Sequence, residues 1–346
     1  MQIVSVENLK PGMQLARTLY GDEGQVLLYA GIILTWTYIN RIRDLKFIAL
    51  YIGEPGDPPD EEIMEPVRAE TRAKAITIAK NTMYEVVRSG DANLDQLQSV
   101  VSEMIDQIFY NPHTIYNIID IRTHDDYTFA HSVNVGILSI LTGLALNYNR
   151  RKLEILGIGA VLHDVGKIFI PSAILNKPGQ LEPNEYETIK EHTIRGYQLL
   201  KEENICYVSS HIAYEHHERE DGSGYPRSLT GSKTHSNAKI VAVADAFDAM
   251  TSNRVYKNAL PTHLALKELQ ELAGIKFSKP VVDCFKKVIA PYPLGSVLRL
   301  VNGEIVTVIK ATKTECLVKA TSNVGSEKIF DLYHFPDLTV VEVIKE

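Results

Sequence analysis

The sequence predicts a multidomain chain: an all-α helical domain flanked by a small N-terminal mostly-β domain and a small C-terminal β domain. Three observations predict it. The chain has 346 residues, enough for two or three domains. Short apolar–polar alternations separated by turn residues occupy both ends. Long runs of apolar periodicity, with helix start and stop signals, fill the middle.

Residues 1–60 read as the N-terminal β-rich module. Gln2–Val6, Gln14–Leu19, Val26–Tyr29 and Ala49–Ile52 are strand candidates, parted by turn signals at Lys10-Pro11-Gly12 and Gly21-Asp22-Glu23-Gly24. Thr35 is placed to cap a short helix ending at Asp44. No ligand cluster is visible there, so a structural or docking role is expected, with sensing as the alternative. Glu54–Pro59, EPGDPP, is a linker by composition.

Residues 61–122 are expected to be a helical connector: an amphipathic helix Val67–Ser89 ended by Gly90-Asp91, then Leu94–Phe109 stopped by Asn111-Pro112. Paired long helices suit packing against a second subunit, so a homodimer through this region is an expectation. Residues 123–290 are mainly helical, over Asp126–Leu146, Arg151–His163, Pro183–Lys201, Ser209–Glu215, Ala238–Ser252 and Leu264–Ala273, with a loop from Arg219 to Asn237. Residues 291–346 return to alternation in Val297–Leu300, Ile305–Lys310, Glu315–Ala320 and Thr339–Ile344. Asn302-Gly303 signals a hairpin between the first two of these strands. A barrel is one arrangement open to this module.

Composition narrows the function. The chain is 45% hydrophobic and 23% charged, ordinary for a globular protein. Its net charge of −7 does not suit a generic DNA binder, and an anionic substrate would need a local positive site such as metal ions. Cys206, Cys284 and Cys316 are odd in number, far apart and form no CxxC, which suits a reducing cytoplasm. The start, MQIVSVENLKPGM, lacks the pattern of a signal peptide. The most apolar run, Val133–Leu146, is interrupted by Asn134, Ser139 and Thr142 and reads as too short to span a bilayer.

The chemistry gathers in residues 123–290. The stretch AVLHDVGKIFIP, Ala160–Pro171, places His163 beside Asp164, with Lys167 following. His131, His192, the doublet His216-His217, and Asp245 complete a set of five of the eleven histidines and two carboxylates. Singly, a histidine on an apolar helix is most often a hydrogen-bonded core residue, and Asp245 a paired buried acid. Together they form a mixed nitrogen and oxygen donor set that suits iron, manganese or zinc rather than calcium. So many ligands exceed one tetrahedral site. Two metals sharing a bridging carboxylate fit better, and such pairs hydrolyse phosphate esters.

His163-Asp164 with Lys167, His216-His217-Glu218-Arg219 and Asp221-Gly222-Ser223-Gly224-Tyr225-Pro226 occur in order. These motifs resemble the HD-GYP family of bacterial HD-domain cyclic dinucleotide phosphodiesterases. Asp245-Ala246-Phe247-Asp248-Ala249-Met250-Thr251-Ser252 and Arg254 extend the resemblance, which covers roughly residues 123–290. The N-terminal β region also resembles a module found before such domains.

The resemblance implies an HD-type helical catalytic domain and a division of roles. His131, His163, Asp164 and Asp245 would hold one metal, and His192, His216 and His217 the second, with Asp164 bridging. Lys167 would lie at the scissile phosphate. Arg254 and Lys257 would bind substrate phosphates or guanine, while Gly224, Tyr225 and Pro226 shape the substrate wall. Glu218 and Asp248 are candidates to accept hydrogen bonds from ligating imidazoles.

This sequence departs from the family in two places. Family members with three metals carry a glutamate where Tyr127 stands here, so two ions are expected. The segment Gly274–Pro280 lacks the family's usual Phe-Asp-Pro.

The expected reaction is metal-dependent hydrolysis of cyclic di-GMP to pGpG, and onward to GMP. Two divalent cations would activate water near neutral pH, and Asp164 and Lys167 would be the catalytic side chains. The alternatives are hydrolysis of another cyclic dinucleotide such as cyclic GMP-AMP, or a non-enzymatic receptor whose β modules relay the bound state to other signalling proteins.

Overall fold

A computed structural model describes residues 2–21, 25–45, 47, 49–53, 65–89, 94–111, 114–116, 127–175, 177, 179–202, 207–252, 259–320, 328–335 and 338–345. The chain forms two compact units. One comprises Met1–Pro66, Asn111–Tyr127 and Ile289–Glu346; the other comprises Val67–Tyr110 and Thr128–Val288.

In the first unit, the N-terminal strands are β1 (Gln2–Ser5), β2 (Gln14–Leu15), β3 (Leu19–Tyr20), β4 (Val26–Leu28) and β5 (Ala49–Gly53), with helix α1 (Trp36–Asp44) before the last. Thr35 caps α1, its hydroxyl accepting from the Tyr38 amide. The single strand expected over Gln14–Leu19 is two. β2 pairs with β5 in the antiparallel sheet β1-β5-β2, whereas β3 pairs with β4 in a separate ribbon. The chain changes partner at Ala16, whose amide donates to Tyr51 O. Leu15, Leu34, Ile39, Ile42, Leu50 and Ile52 form the core.

The C-terminal part carries β6 (Val297–Leu300), β7 (Ile305–Ala311), β8 (Cys316–Ala320), β9 (Lys328–Asp331) and β10 (Val340–Lys345). Among the described residues it is one antiparallel sheet of order β10-β6-β7-β8-β9, with β9 and β10 at the edges, rather than a barrel. Gly303, at φ 85°, closes the β6–β7 hairpin and donates to Leu300 O. Leu298, Leu300, Val306, Val308, Val318 and Phe330 fill its core. β9 was not expected; with few alternating residues its sequence carries little signal, and its pairing with β8 defines it.

The second unit is helical: α2 (Ala69–Ser89), α3 (Asp95–Tyr110), α4 (Tyr127–Ala145), α5 (Arg150–Val161), α6 (Ser172–Leu175), α7 (Pro183–Glu202), α8 (Tyr207–Glu215), α9 (Ser236–Thr251), α10 (Thr262–Glu271) and α11 (Lys279–Phe285). α2 and α3 pack on one another and α3 packs on α5, so Val67–Tyr110 clusters with Thr128–Val288. α9 starts two residues before its expected beginning because the His235 imidazole caps it, accepting from the Asn237 amide. α11 was not expected. Its Pro280 stands in the first turn, where a missing amide costs nothing, and Val281, Val282 and Phe285 are buried beneath it.

α4 is apolar on all sides. The apolar run that begins at Val133 belongs to a longer helix: an 18-residue window, Thr128–Ala145, is long and apolar enough to cross a membrane by length and composition alone, and 83% of that window is buried inside the structure, as in a core helix. Its polar interruptions are inward. Thr142 donates back to Leu138 O, and Asn134 reaches a carboxylate on α9.

Candidate metal centre

The two unusual residues His163 and Asp164 sit just past α5 rather than inside it. The helix ends at Val161, and His163 Nδ1 donates to Ala160 O at 2.7 Å. That bond turns the chain into a 3-10 segment, Val165–Phe169. The turn is pressed against α7 through Gly166. A Cβ there would lie 1.9 Å from His192 O and 2.7 Å from Gly196 N, so only glycine fits. This contact brings Asp164 to His192.

The candidate ligands form two groups. Asp164, His192, His216 and His217 each offer an atom within 4.8 Å of the others, as do His131, His163 and Asp245. Asp164 lies between them. Its Oδ1 faces His192 Nε2 at 3.3 Å and His216 Nε2 at 3.7 Å; its Oδ2 faces His163 Nε2 at 3.2 Å and His131 Nε2 at 3.8 Å. Asp245 Oδ1 is 3.1 Å from His131 Nε2, and its Oδ2 is 3.9 Å from His217 Nδ1. His163 and His192 are fully buried, whereas the His217 and Asp245 side chains keep 26% and 15% of their exposure. Those two therefore mark the open side of the pocket.

The tautomers are fixed from behind. His192 Nδ1 donates to Ile189 O, His216 Nδ1 to Ile212 O and Ala213 O, and His131 Nδ1 to Asp248 Oδ2. A carbonyl or carboxylate oxygen only accepts here, so in these rings, as in His163, Nδ1 carries a proton and Nε2 is the nitrogen turned inward.

Burial pushes His192 down to about 4 and His217 down to about 3, and holds His216 well below the usual imidazole value, so these imidazoles are neutral at pH 7. Burial would raise the Asp164 carboxyl, but His163, Lys167 and His192 hold it well below the usual carboxylate range. Asp245 is likewise held down by His131 against its burial. Neutral His192, His216 and His217 thus face two ionised carboxylates, while Asp245 and Asp248 raise His131 against its burial. His163 Nε2 and Asp164 Oδ1 are buried without a hydrogen bond. Inward-facing ring nitrogens, two ionised carboxylates and buried donor atoms without a hydrogen bond fit divalent cations.

Lys167 pairs with Asp164 Oδ2 and keeps 23% of its exposure, so its ammonium stands at the mouth. The Tyr225 ring packs against His217 at 4.6 Å. Gly224 lets this loop close: a Cβ there would lie 2.5 Å from His217 O and Glu218 Cα. The departing segment 274–280 braces the loop from below, where Ile275 O and Lys276 O accept from Asp221 and Glu220 amides. Arg254 and Lys257 lie outside the described residues, as does the Tyr127 side chain.

Of the two acids expected behind imidazoles, Asp248 takes that role and Glu218 does not. Glu218 accepts from the Arg227 and Leu229 amides at 2.7 and 2.8 Å, pinning the loop after Pro226. Glu218→Ala leaves two backbone donors without an acceptor and is expected to cost about 3 kcal/mol. Thermal melting beside Glu218→Gln, which keeps one acceptor oxygen, checks this; the glutamine form should lose less.

Sequence reasoning missed Lys190 and Tyr186. Lys190 Nζ sits 4.7 Å over the Tyr186 ring and 5.7 Å over that of Tyr225, beside the pocket. Lys190 is one helical position from His192's neighbour and carried no signal except charge.

The family model described as "HD domain" matches residues 116–279. The chain is 31% identical over 253 residues to "Cyclic di-GMP phosphodiesterase PA4108" of Pseudomonas aeruginosa, covering 72% of this chain and 60% of that one. It is 34% identical over 256 residues to "Cyclic di-GMP phosphodiesterase response regulator RpfG" of Xanthomonas campestris, covering 70% of this chain and 67% of the relative. The chain thus spans about three fifths to two thirds of these relatives. Among solved structures, Bd1817, an HDG"Y"P protein from Bdellovibrio bacteriovorus, shares the fold with a TM-score of 0.52 at 18% identity, covering 83% of this chain and 98% of that one.

Proposed function

The chain belongs to the HD-GYP family of HD-domain proteins, and from that premise we propose that it is a metal-dependent phosphodiesterase hydrolysing cyclic di-GMP to pGpG, and onward to GMP. The observation that carries this reading is Asp164, with one oxygen facing each group of imidazoles. In this proposal His131, His163 and Asp245 would hold one divalent ion and His192, His216 and His217 a second, with Asp164 serving both. Bound iron or manganese would supply an activated water and offset charge on the phosphoryl oxygens.

The chain's own residues do the rest. Lys167, held by Asp164 at the mouth, places an ammonium where it can stabilise a phosphoryl oxygen and pass a proton to the leaving 3′ oxygen. Gly224, Tyr225 and Pro226 wall the substrate on the His217 side. Arg254 and Lys257 are proposed to take the outer phosphate or guanine. The thiol pattern suits a cytoplasmic enzyme.

The test is anaerobic loading with ferrous iron or manganese, followed by chromatography of products from cyclic di-GMP with cyclic GMP-AMP as competitor. Metal-dependent pGpG is the expected outcome. Faster turnover of the competitor would reassign the substrate, and intact nucleotides with metal bound would leave a receptor. Lys167→Met is expected to lower kcat by about 10²-fold, as loss of one charge-stabilising group does, with metal content unchanged.

A further inference from the structure

α2 contributes none of the ligands in either group, yet hydrogen bonds connect it to one. Arg72, on α2, donates from Nε at 3.0 Å and Nη2 at 2.5 Å to Asn134 Oδ1. Asn134, one turn after His131 on α4, donates from Nδ2 to Asp248 Oδ1 at 2.9 Å. Asp248, on α9, accepts from His131 Nδ1 at 2.6 Å on its other oxygen, which also takes the Ser252 hydroxyl at 3.3 Å. Asn134, Asp248 and His131 are buried, at 1%, 4% and 2% exposure.

The direction of this chain matters. A carboxamide has an acceptor end and a donor end. With its oxygen held by the guanidinium, Asn134 can offer Asp248 only N–H. Turned over, it would set an oxygen against the carboxylate in a buried site, where such a clash is costly. Arg72 thereby fixes the sense of the amide, the amide fixes Asp248, and Asp248 keeps the His131 proton on Nδ1. His131 Nε2 then faces Asp245 and Asp164.

We propose that Arg72 is a positioning residue that, through Asn134 and Asp248, holds His131 in the tautomer and orientation that ligates a cation. This ties the metal affinity of the His131 group to the seating of α2. It rests on the metal centre proposed above. Because coupling is reciprocal, metal bound at His131 also steadies α2.

The test uses the full chain, stripped with chelator and titrated calorimetrically with Mn²⁺, with the spectrum of bound Mn²⁺ read by electron paramagnetic resonance. Arg72→Met is expected to weaken one class of Mn²⁺ site by about 10-fold, as loss of support behind a ligand does, and to leave the other class unchanged. Arg72→Lys, which keeps a charged donor, should recover much of that affinity. Asn134→Asp, setting carboxylate against carboxylate, should lose more than Arg72→Met. If Arg72→Met does not fold, the Arg72→Lys and Arg72→Gln pair carries the same comparison.

Unchanged affinity at both classes, with only a lower melting temperature of the stripped protein, would overturn the proposal and reduce Arg72 to packing. Mn²⁺ binding without hydrolysis of any cyclic dinucleotide would sink the phosphodiesterase reading and leave this one standing. Absence of any Mn²⁺ site in the parent protein would overturn both.

Discussion

Asp164→Ala is expected to lower metal-dependent turnover by at least about 10³-fold, the several kcal/mol that paired cations supply to a phosphoryl transition state. The reason lies in its position rather than in its charge alone. Each Asp164 oxygen faces a different pair of imidazoles, so one substitution removes an anionic donor from both groups. It also releases Lys167, whose ammonium is held by the same carboxylate. Metal analysis after gel filtration should show both ions depleted along with the activity. His217→Ala, at the exposed rim of one group, should spare the His131 group. Full metal content in Asp164→Ala would remove the carboxylate from its bridging role.

Gly166→Ala is expected to be nearly as damaging, by a different route. The added methyl would meet His192 O at 1.9 Å and Gly196 N at 2.7 Å, both backbone atoms of α7 that cannot rotate aside. Either the turn or α7 must move, and overpacking of this kind costs about 3 kcal/mol or more. For a unit of this size the melting temperature should fall by about 6–12 °C. The turn carries Asp164 and α7 carries His192, so displacement separates two of the proposed ligands, and metal affinity is expected to fall with stability. Gly196→Ala is the graded comparison: its nearest contact would be 3.3 Å, and a smaller loss is expected. Equal melting temperatures for Gly166→Ala and the parent protein would show that the close approach does not constrain the turn.

Much of the site was legible because its chemistry is written in residue types. Imidazoles and carboxylates on otherwise apolar helices are costly to bury without partners, so His131, His192 and Asp245 stood out against their neighbours. The pairs His163-Asp164 and His216-His217 stood out by adjacency. Asn134 was visible only as an interruption in an apolar run, and its use depends on Asp248, which lies 114 residues away in sequence. Glu218 was visible as an acid beside a ligand doublet, but its partners are amides beyond the loop. Nothing local says whether an acid next to a ligand faces the imidazole or the chain that follows.

The same division holds for the fold. Helix periodicity, turn residues and the Thr35 cap are local, and they located α1 and the long helices. The switch of partner between β2 and β3, the pairing of β9 and the early start of α9 depend on contacts from elsewhere, and local pattern did not contain them.

By itself, the sequence determined which elements this protein has to work with: an all-α middle, β-rich ends and a donor set suited to divalent cations. Propensity, period and donor chemistry are properties of single residues and near neighbours. Only the tertiary structure decided that Asp164 stands between two groups, that Gly166 must lack a side chain, and that α2 reaches His131 through Arg72, Asn134 and Asp248. Those features depend on distances between atoms far apart in the chain, and packing fixes such distances where local propensity cannot.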